Sequence, residues 1–289
     1  MTAGRSGDRA RPILAFCHIE KAAGTTLIGC LREAFPLRFA AMRPLTGPPR
    51  THATLQDLRI TLRVNPFLAC VSGHAVVPWG DLGESGRLSY ITLVRDPVER
   101  AASQYAFWVQ RMGSSMAPEL FLEHRTAGNF QVKKIAGRED LDEARRILEN
   151  RFLLAGTVES FDEFLVMLAA KLDMPAERFA YRVKNTAAGR ARLALPEGFG
   201  ARLEEINQLD SALYAWVRDD LVPRYRRAFS GDLSAELEAF RRTLSVGPAW
   251  TWRRPVDLVY RNAWMKPLTG IVRLANGLRY EGSYGISRG

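Results

Sequence analysis

The chain alternates short apolar runs with longer stretches in which apolar residues recur at helical spacing. Ile13–Cys17 is an unbroken apolar run, the pattern of a strand buried on both faces. A polar loop, His18–Thr26, follows it, and then a helical pattern, Leu27–Ala34, that stops before Pro36. Leu37–Ala41 reads as a short strand, and the segment 42–54, with Pro44, Gly47, Pro48 and Pro49, reads as a surface loop. A helix at 55–63 ends before Asn65-Pro66. Phe67–Val71 then makes a second buried strand leading into Ser72-Gly73-His74, and the Gly- and acid-rich segment 78–87 is a loop.

Tyr90–Val94 is a third apolar run, and it ends in Arg95-Asp96-Pro97-Val98-Glu99-Arg100. Asp96 suits a helix N-cap, Pro97 the first helical position, and Glu99 a capping box, so a helix is expected to about Met112. Helices are expected at 116–126, 129–136 and 140–151, then a strand at 152–156 and a helix at 160–172. Phe179–Lys184 is an edge-strand candidate, with helices near 197–208, 209–228 and 233–242. Strands alternating with helices predict an α/β fold with a central, mostly parallel sheet flanked by helices.

The first strand–loop–helix unit carries chemistry. Amides of Gly24, Thr25 and Thr26 at a helix N-terminus attract phosphate, Lys21 adds a mobile positive charge, and the two threonines add hydroxyl donors. The triphosphatase loop requires lysine after its second glycine, and the dinucleotide fingerprint requires three spaced glycines; both patterns are absent. At the third strand's end, Arg95 would enter the same cleft. Arg100 and Ser103, three apart, would share one helix face, and a guanidinium with a hydroxyl makes a clamp for a terminal phosphate.

His74 follows a buried strand and would project at the carboxyl edge of the sheet, where open α/β sheets bind ligands. It is the candidate general base. Glu20, a carboxylate inside the loop, is the rival base, with a local salt bridge as its other reading. His18 is read as orienting Lys21 or touching substrate, and His52 and His124 as bystanders.

Composition adds less. The chain has 289 residues with 41 Lys and Arg against 31 Asp and Glu, a net charge of +10 that suits an anionic partner without choosing one. The three cysteines, Cys17, Cys30 and Cys70, stand in apolar contexts without metal spacing, as small core residues in a reducing compartment do. Residues 1–11 are polar and basic and are expected to be disordered. No apolar run is long enough to span a bilayer. The expected location is cytoplasmic, in a bacterial protein.

Two motifs resemble those of the sulfotransferases that use 3′-phosphoadenosine 5′-phosphosulfate. His18-Ile-Glu-Lys-Ala-Ala-Gly-Thr-Thr26 resembles their 5′-phosphosulfate loop, His-Ile-Pro-Lys-Thr-Ala-Gly-Thr-Thr/Ser, with Glu20 in place of proline and Ala22 in place of threonine. Arg95-Asp-Pro-Val-Glu-Arg-Ala-Ala-Ser-Gln-Tyr105 is similar to their 3′-phosphate signature at every specified position. Asn129–Gly137 and Leu154–Asp162 resemble later segments of the carbohydrate branch, and Tyr181–Asn185 and Leu209–Tyr214 match weaker patterns, so the likeness covers roughly residues 13–225. The Gly73-His74 element is similar to the base-bearing segment of the uronyl 2-O-sulfotransferases.

The resemblance implies a P-loop-like sulfotransferase fold over residues 12–246. It also implies a donor held by Lys21, Ala22, Ala23, Gly24, Thr25, Thr26, Arg95 and Ser103. Lys21 would neutralise the bridging oxygen, His74 would take the acceptor proton, and no metal would be required. The acceptor implied is a carbohydrate or another hydroxyl-bearing molecule, and no nucleic-acid partner is expected. A nucleotide-dependent kinase and a non-catalytic anion binder stand as alternatives.

The tail, residues 247–289, interleaves Trp250, Trp252, Tyr260, Trp264 and Tyr280 with Arg253, Arg254, Arg261, Lys266, Arg273 and Arg279. It reads either as a surface for an acidic saccharide, nucleic acid or membrane, or as aromatics docking the tail with solvated arginines.

Overall fold

The structure, a computed structural model, describes residues 12–48, 50–182, 195–246 and 253–278. Five strands form one all-parallel sheet: β1 Ile13–Cys17, β2 Phe39–Ala41, β3 Cys70–Gly73, β4 Leu88–Val94 and β5 Phe152–Thr157, in the order β2-β3-β1-β4-β5. The expected α/β fold with a parallel, helix-flanked sheet is what the chain adopts. Along β1 the side chains alternate between two apolar layers, Ile13, Ala15 and Cys17 on one side and Leu14 and Phe16 on the other. A central parallel strand needs that double burial, and it explains the unbroken apolar run.

Helices α1 (Gly24–Ala34) and, later in the chain, α7 (Phe161–Lys171) and α11 (Leu233–Val246) cover the Leu14/Phe16 face. The other face receives α2 (Leu55–Val64), α5 (Phe130–Ala136), α6 (Leu141–Arg151) and α9 (Gln208–Trp216). A smaller apolar cluster joins α3 (Pro97–Met112), α4 (Pro118–Leu122) and α8 (Phe199–Ile206) through Trp108, Phe121 and Phe199. After α9 a wider π turn, Val217–Leu221, leads directly into α10 (Val222–Arg227). After α12 (Arg253–Val259) another, Tyr260–Met265, leads into α13 (Lys266–Ala275). Each π turn ends two residues before a proline, Pro223 and Pro267, whose missing N–H and bulky ring an ordinary α-turn would not tolerate.

Several boundaries differ from the sequence reading. The second buried strand begins at Cys70, not Phe67, because the Asn65 side chain accepts from the Phe67 amide and donates to the Leu37 carbonyl, holding a turn that leaves Phe67 in solvent. The short strand near residue 37 narrows to Phe39–Ala41, and the helix expected at 116–126 forms only over Pro118–Leu122. Of the edge-strand candidate 179–184, Phe179 closes a 3-10 turn, residues 180–182 form no strand, and 183–184 lie outside the described residues. Residues 1–11, the expected disordered start, lie outside them too, as do 247–252 and 279–289 of the tail.

Candidate anion-binding and acid–base site

Strand order fixes where a site can form. From β1 the chain travels to the β2/β3 side of the sheet, then crosses to β4 and β5 on the other. The loops leaving the carboxyl ends of β1 and β4 therefore part in opposite directions and open a crevice between them, the switch point at which such sheets bind ligands. Loop 18–23 leaves β1, Arg95 leaves β4, and His74 leaves β3 on the other side of β1.

The β1 loop turns tightly. Lys21 and Ala23 take left-handed backbone conformations, at φ 67° and 54°, and Ala23 is the N-cap of α1. Thr26 and Leu27 both donate their amides to the Ala23 carbonyl at 3.1 Å. The amides of Gly24 and Thr25 have no partner among the described residues, so the anion cradle consists of these two rather than all three expected amides. Position 24 requires glycine because a Cβ there would lie 1.8 Å from His18 Nε2.

Lys21 rests its ammonium 4.4 Å from the centre of the Phe107 ring, and Phe107 lies one turn beyond Ser103 on α3. The Arg95 guanidinium donates to the Lys21 carbonyl at 3.3 Å and to Glu99 Oε2 at 2.9 and 3.2 Å. Lys21, Gly24, Thr25 and Arg95 thus gather around the crevice, and Ser103 stands on α3 one turn before the Phe107 ring that Lys21 meets.

Arg100 departs from expectation. Its side chain is fully buried, donates to the carbonyls of Thr126 and Ala127, and lies 4.8 Å from the Phe130 ring. Burial lowers its pKa to about 10. It pins the segment after α4 and does not share the Ser103 face as a clamp. Glu99 also differs: Asp96 accepts from the Glu99 amide as an N-cap, while the Glu99 carboxylate turns to Arg95 and makes no capping box.

A second set of side chains lies beneath the loop. His74 Nδ1 is 2.9 Å from Glu20 Oε1, and the His18 and His74 rings stack at 4.3 Å. Lys134 Nζ stands 3.8 Å from the same Glu20 oxygen and donates to the His74 carbonyl at 2.6 Å. Burial opposes the Glu20 charge, but Lys134 and His74 together outweigh it and hold its pKa at about 2. His18 is buried, and desolvation, helped by His74 and opposed by Glu20, lowers its pKa to about 3, so it is neutral. A neutral imidazole packed under Gly24 serves as the floor of the loop.

The brace is α5. Gln131, fully buried on it, accepts from the Arg95 amide at 3.0 Å and donates to the Arg95 carbonyl at 2.8 Å, holding that peptide from both sides. Lys134, one turn further, holds Glu20 and the His74 backbone. The helix itself is fixed by reciprocal capping. Asp210 accepts from the Gln131 and Val132 amides at 2.9 and 2.8 Å, and Asn129, in left-handed conformation, accepts from the Leu209 and Asp210 amides at 3.1 and 3.3 Å. Burial pushes the Asp210 carboxyl up against the pull of those two amides and Arg100.

Sequence reading missed Lys134, Gln131 and Phe107. The signal for the first two was a pair of polar residues at helical spacing on a helix whose other inward positions, Val132 and Ile135, are apolar. His52 packs on Trp79 and His124 on Trp108, at 4.7 Å each, away from the crevice. The cleft of about 520 Å³ lined by Glu123, His124, Asn129 and Glu205 lies along α4, α5 and α8 and shares none of the gathered site residues. Cys17, Cys30 and Cys70 are buried and unpaired, and burial pushes the Cys17 and Cys30 thiols up to about 12. The chain matches no protein-family model and no curated protein.

Proposed function

We propose that the protein transfers a sulfuryl group from 3′-phosphoadenosine 5′-phosphosulfate to a hydroxyl, on a carbohydrate or a similar acceptor. One observation carries the reading: a helix N-terminus whose first two amides have no partner among the described residues, and Arg95 at the end of the neighbouring strand, stand on the two sides of one switch-point crevice, beside a carboxylate-held imidazole. Two separate cationic and amide-rich banks suit a ligand with two separated phosphate groups better than one with a single phosphate.

The donor set fits such a ligand. Gly24 and Thr25 amides with Lys21 would hold the 5′ end, and Arg95 and Ser103 the 3′-phosphate. The donor supplies the sulfuryl group and leaves as the 3′,5′-bisphosphate. His74 faces Glu20 through Nδ1, so the acceptor's proton would be taken at Nε2, and the Glu20 carboxylate would steady the imidazolium that forms. Lys134 keeps Glu20 ionised at neutral pH. Glu20, which stands where the resembling loop carries proline, is therefore a partner of the base rather than a rival to it. Lys21 would offset charge developing on the leaving oxygen.

The test is calorimetric titration with 3′-phosphoadenosine 5′-phosphate beside adenosine 5′-phosphate and ATP. Preference for the bisphosphate, lost in Arg95→Ala, supports the reading. Equal affinity for all, or none, refutes it. Acceptor screening with labelled donor follows, with His74→Ala as the inactive control that still binds the bisphosphate.

A further inference from the structure

Surface helices ordinarily turn their apolar stripe to the core and their polar side to water. The helix formed by α12, its π turn and α13 turns a second apolar stripe outward as well. Polar contacts tie it to the body: Asp257 accepts from the Leu37 amide at 3.0 Å, Trp264 Nε1 donates to the Val64 carbonyl at 3.2 Å, and Arg273 donates to the Pro44 carbonyl. Met265 and Leu278 are its buried apolar anchors, and Tyr260 packs on the same core as Met265. The outer side carries Pro255, Val259, Ala263, Pro267, Ile271 and Leu274, at spacings of three and four, all exposed and with no charge among them. Val259 is 64% exposed, Ile271 62% and Leu274 71%. At about 1.5 Å per residue the stripe runs for about 30 Å. Phe67, three residues past the Val64 whose carbonyl receives Trp264, is a further exposed aromatic, at 71%.

Charge says what this face meets. From 253 to 278 the chain has five Arg and Lys and a single acid, Asp257, which is half-buried against Leu37. Lys266 is exposed beside the stripe, and the exposed Arg43 and Arg63 flank the two residues, Pro44 and Val64, whose carbonyls receive the helix. Two copies packed through this face would bring their cationic borders together. An anionic lipid surface instead takes the apolar stripe into its acyl boundary and the cationic border onto its headgroups.

We propose that α12–α13 is a membrane-interface helix that docks the protein, lying flat, on anionic lipid. The stripe is not a span: no helix among the described residues is long and apolar enough to cross a membrane. The inference is independent of the donor reading, because it uses none of the crevice residues.

The experiment is co-sedimentation of the full chain with phosphatidylcholine vesicles, with and without phosphatidylserine. Binding is expected to the phosphatidylserine vesicles, to fall about tenfold or more in Ile271→Ser/Leu274→Ser, and to fall severalfold in Lys266→Glu. All three substituted positions are exposed, and an unchanged circular dichroism spectrum and melting temperature confirm the variants' fold. Equal binding to both vesicle types, binding unchanged in the variants, or no vesicle binding would overturn the proposal. So would a dimer that dissociates in Ile271→Ser/Leu274→Ser without vesicle binding, which would assign the face to a second copy.

Discussion

The Arg95–Glu99 pair gives a counterintuitive prediction. Two of the guanidinium's N–H groups lie on one Glu99 oxygen, at 2.9 and 3.2 Å, with the arginine side chain 27% and the glutamate side chain 61% exposed. A 3′-phosphate held by Arg95 would have to displace that carboxylate and then tolerate it nearby. An exposed i,i+4 pair is worth about 0.3–0.5 kcal/mol. Repulsion between carboxylate and phosphate at about 4 Å adds about 1 kcal/mol in water. Removing the charge in Glu99→Gln should therefore tighten 3′-phosphoadenosine 5′-phosphate binding, by roughly twofold if the carboxylate swings clear and roughly tenfold if it stays. Calorimetry at low and high salt checks both size and cause, since the gain should shrink once the Debye length falls to about 3 Å near 1 M salt. Adenosine 5′-phosphate should gain nothing. Affinity for the bisphosphate that is unchanged or weaker in Glu99→Gln would refute the assignment of Arg95 to the 3′-phosphate.

Gln131→Ala strips both partners from a part-buried peptide at Arg95, so denaturant unfolding should show a loss of about 2–3 kcal/mol and calorimetry a weaker bisphosphate complex. Gln131→Glu, which sets an acceptor against the Arg95 carbonyl and buries a charge at a fully buried position, should cost at least as much. Gly24→Ala drives a Cβ into His18 and should cost about 1–3 kcal/mol with loss of anion binding; adding His18→Ala should recover stability without recovering binding. His18 is held at about 3 when folded against about 6.5 when unfolded, so the unfolded chain binds the extra proton and stability falls as pH drops through that window. Between roughly pH 7 and pH 5 the chain should lose about 2 kcal/mol more than His18→Gln, and parallel pH dependences would refute the buried neutral imidazole.

Much of the fold was legible because strands buried on both faces leave an unmistakable trace. The runs 13–17, 90–94 and 152–156 each lie within or coincide with a strand. What failed was tertiary in origin: the start of β3 is set by the side chain of Asn65, and Arg100 has the spacing of a clamp residue but is drawn inward by two carbonyls and a ring that arrive from the segment after α4. Local pattern cannot report a partner that comes from another part of the chain. For the same reason His74 could be placed at the sheet edge from its strand alone, whereas its pairing with Glu20 required knowing that β3 and β1 are neighbours.

The residues that looked least chemical explain why the crevice holds its shape. Lys21 and Arg95 belong to loops that leave adjacent strands in opposite directions, and a single hydrogen bond, from the Arg95 guanidinium to the Lys21 carbonyl, ties one to the other directly. The helix α5 does so from outside, with Gln131 on the Arg95 peptide and Lys134 on Glu20 and the His74 carbonyl. At seven residues α5 is too short to be stable alone, and the carboxylate of Asp210 satisfies its first amides while Asn129 returns the favour to α9. Both banks of the crevice and the carboxylate–imidazole pair thus hang from one reciprocally capped helix junction. Burial leaves the Asp210 charge dependent on those amides and Arg100, so loss of either capping residue should loosen all three loops together rather than one at a time.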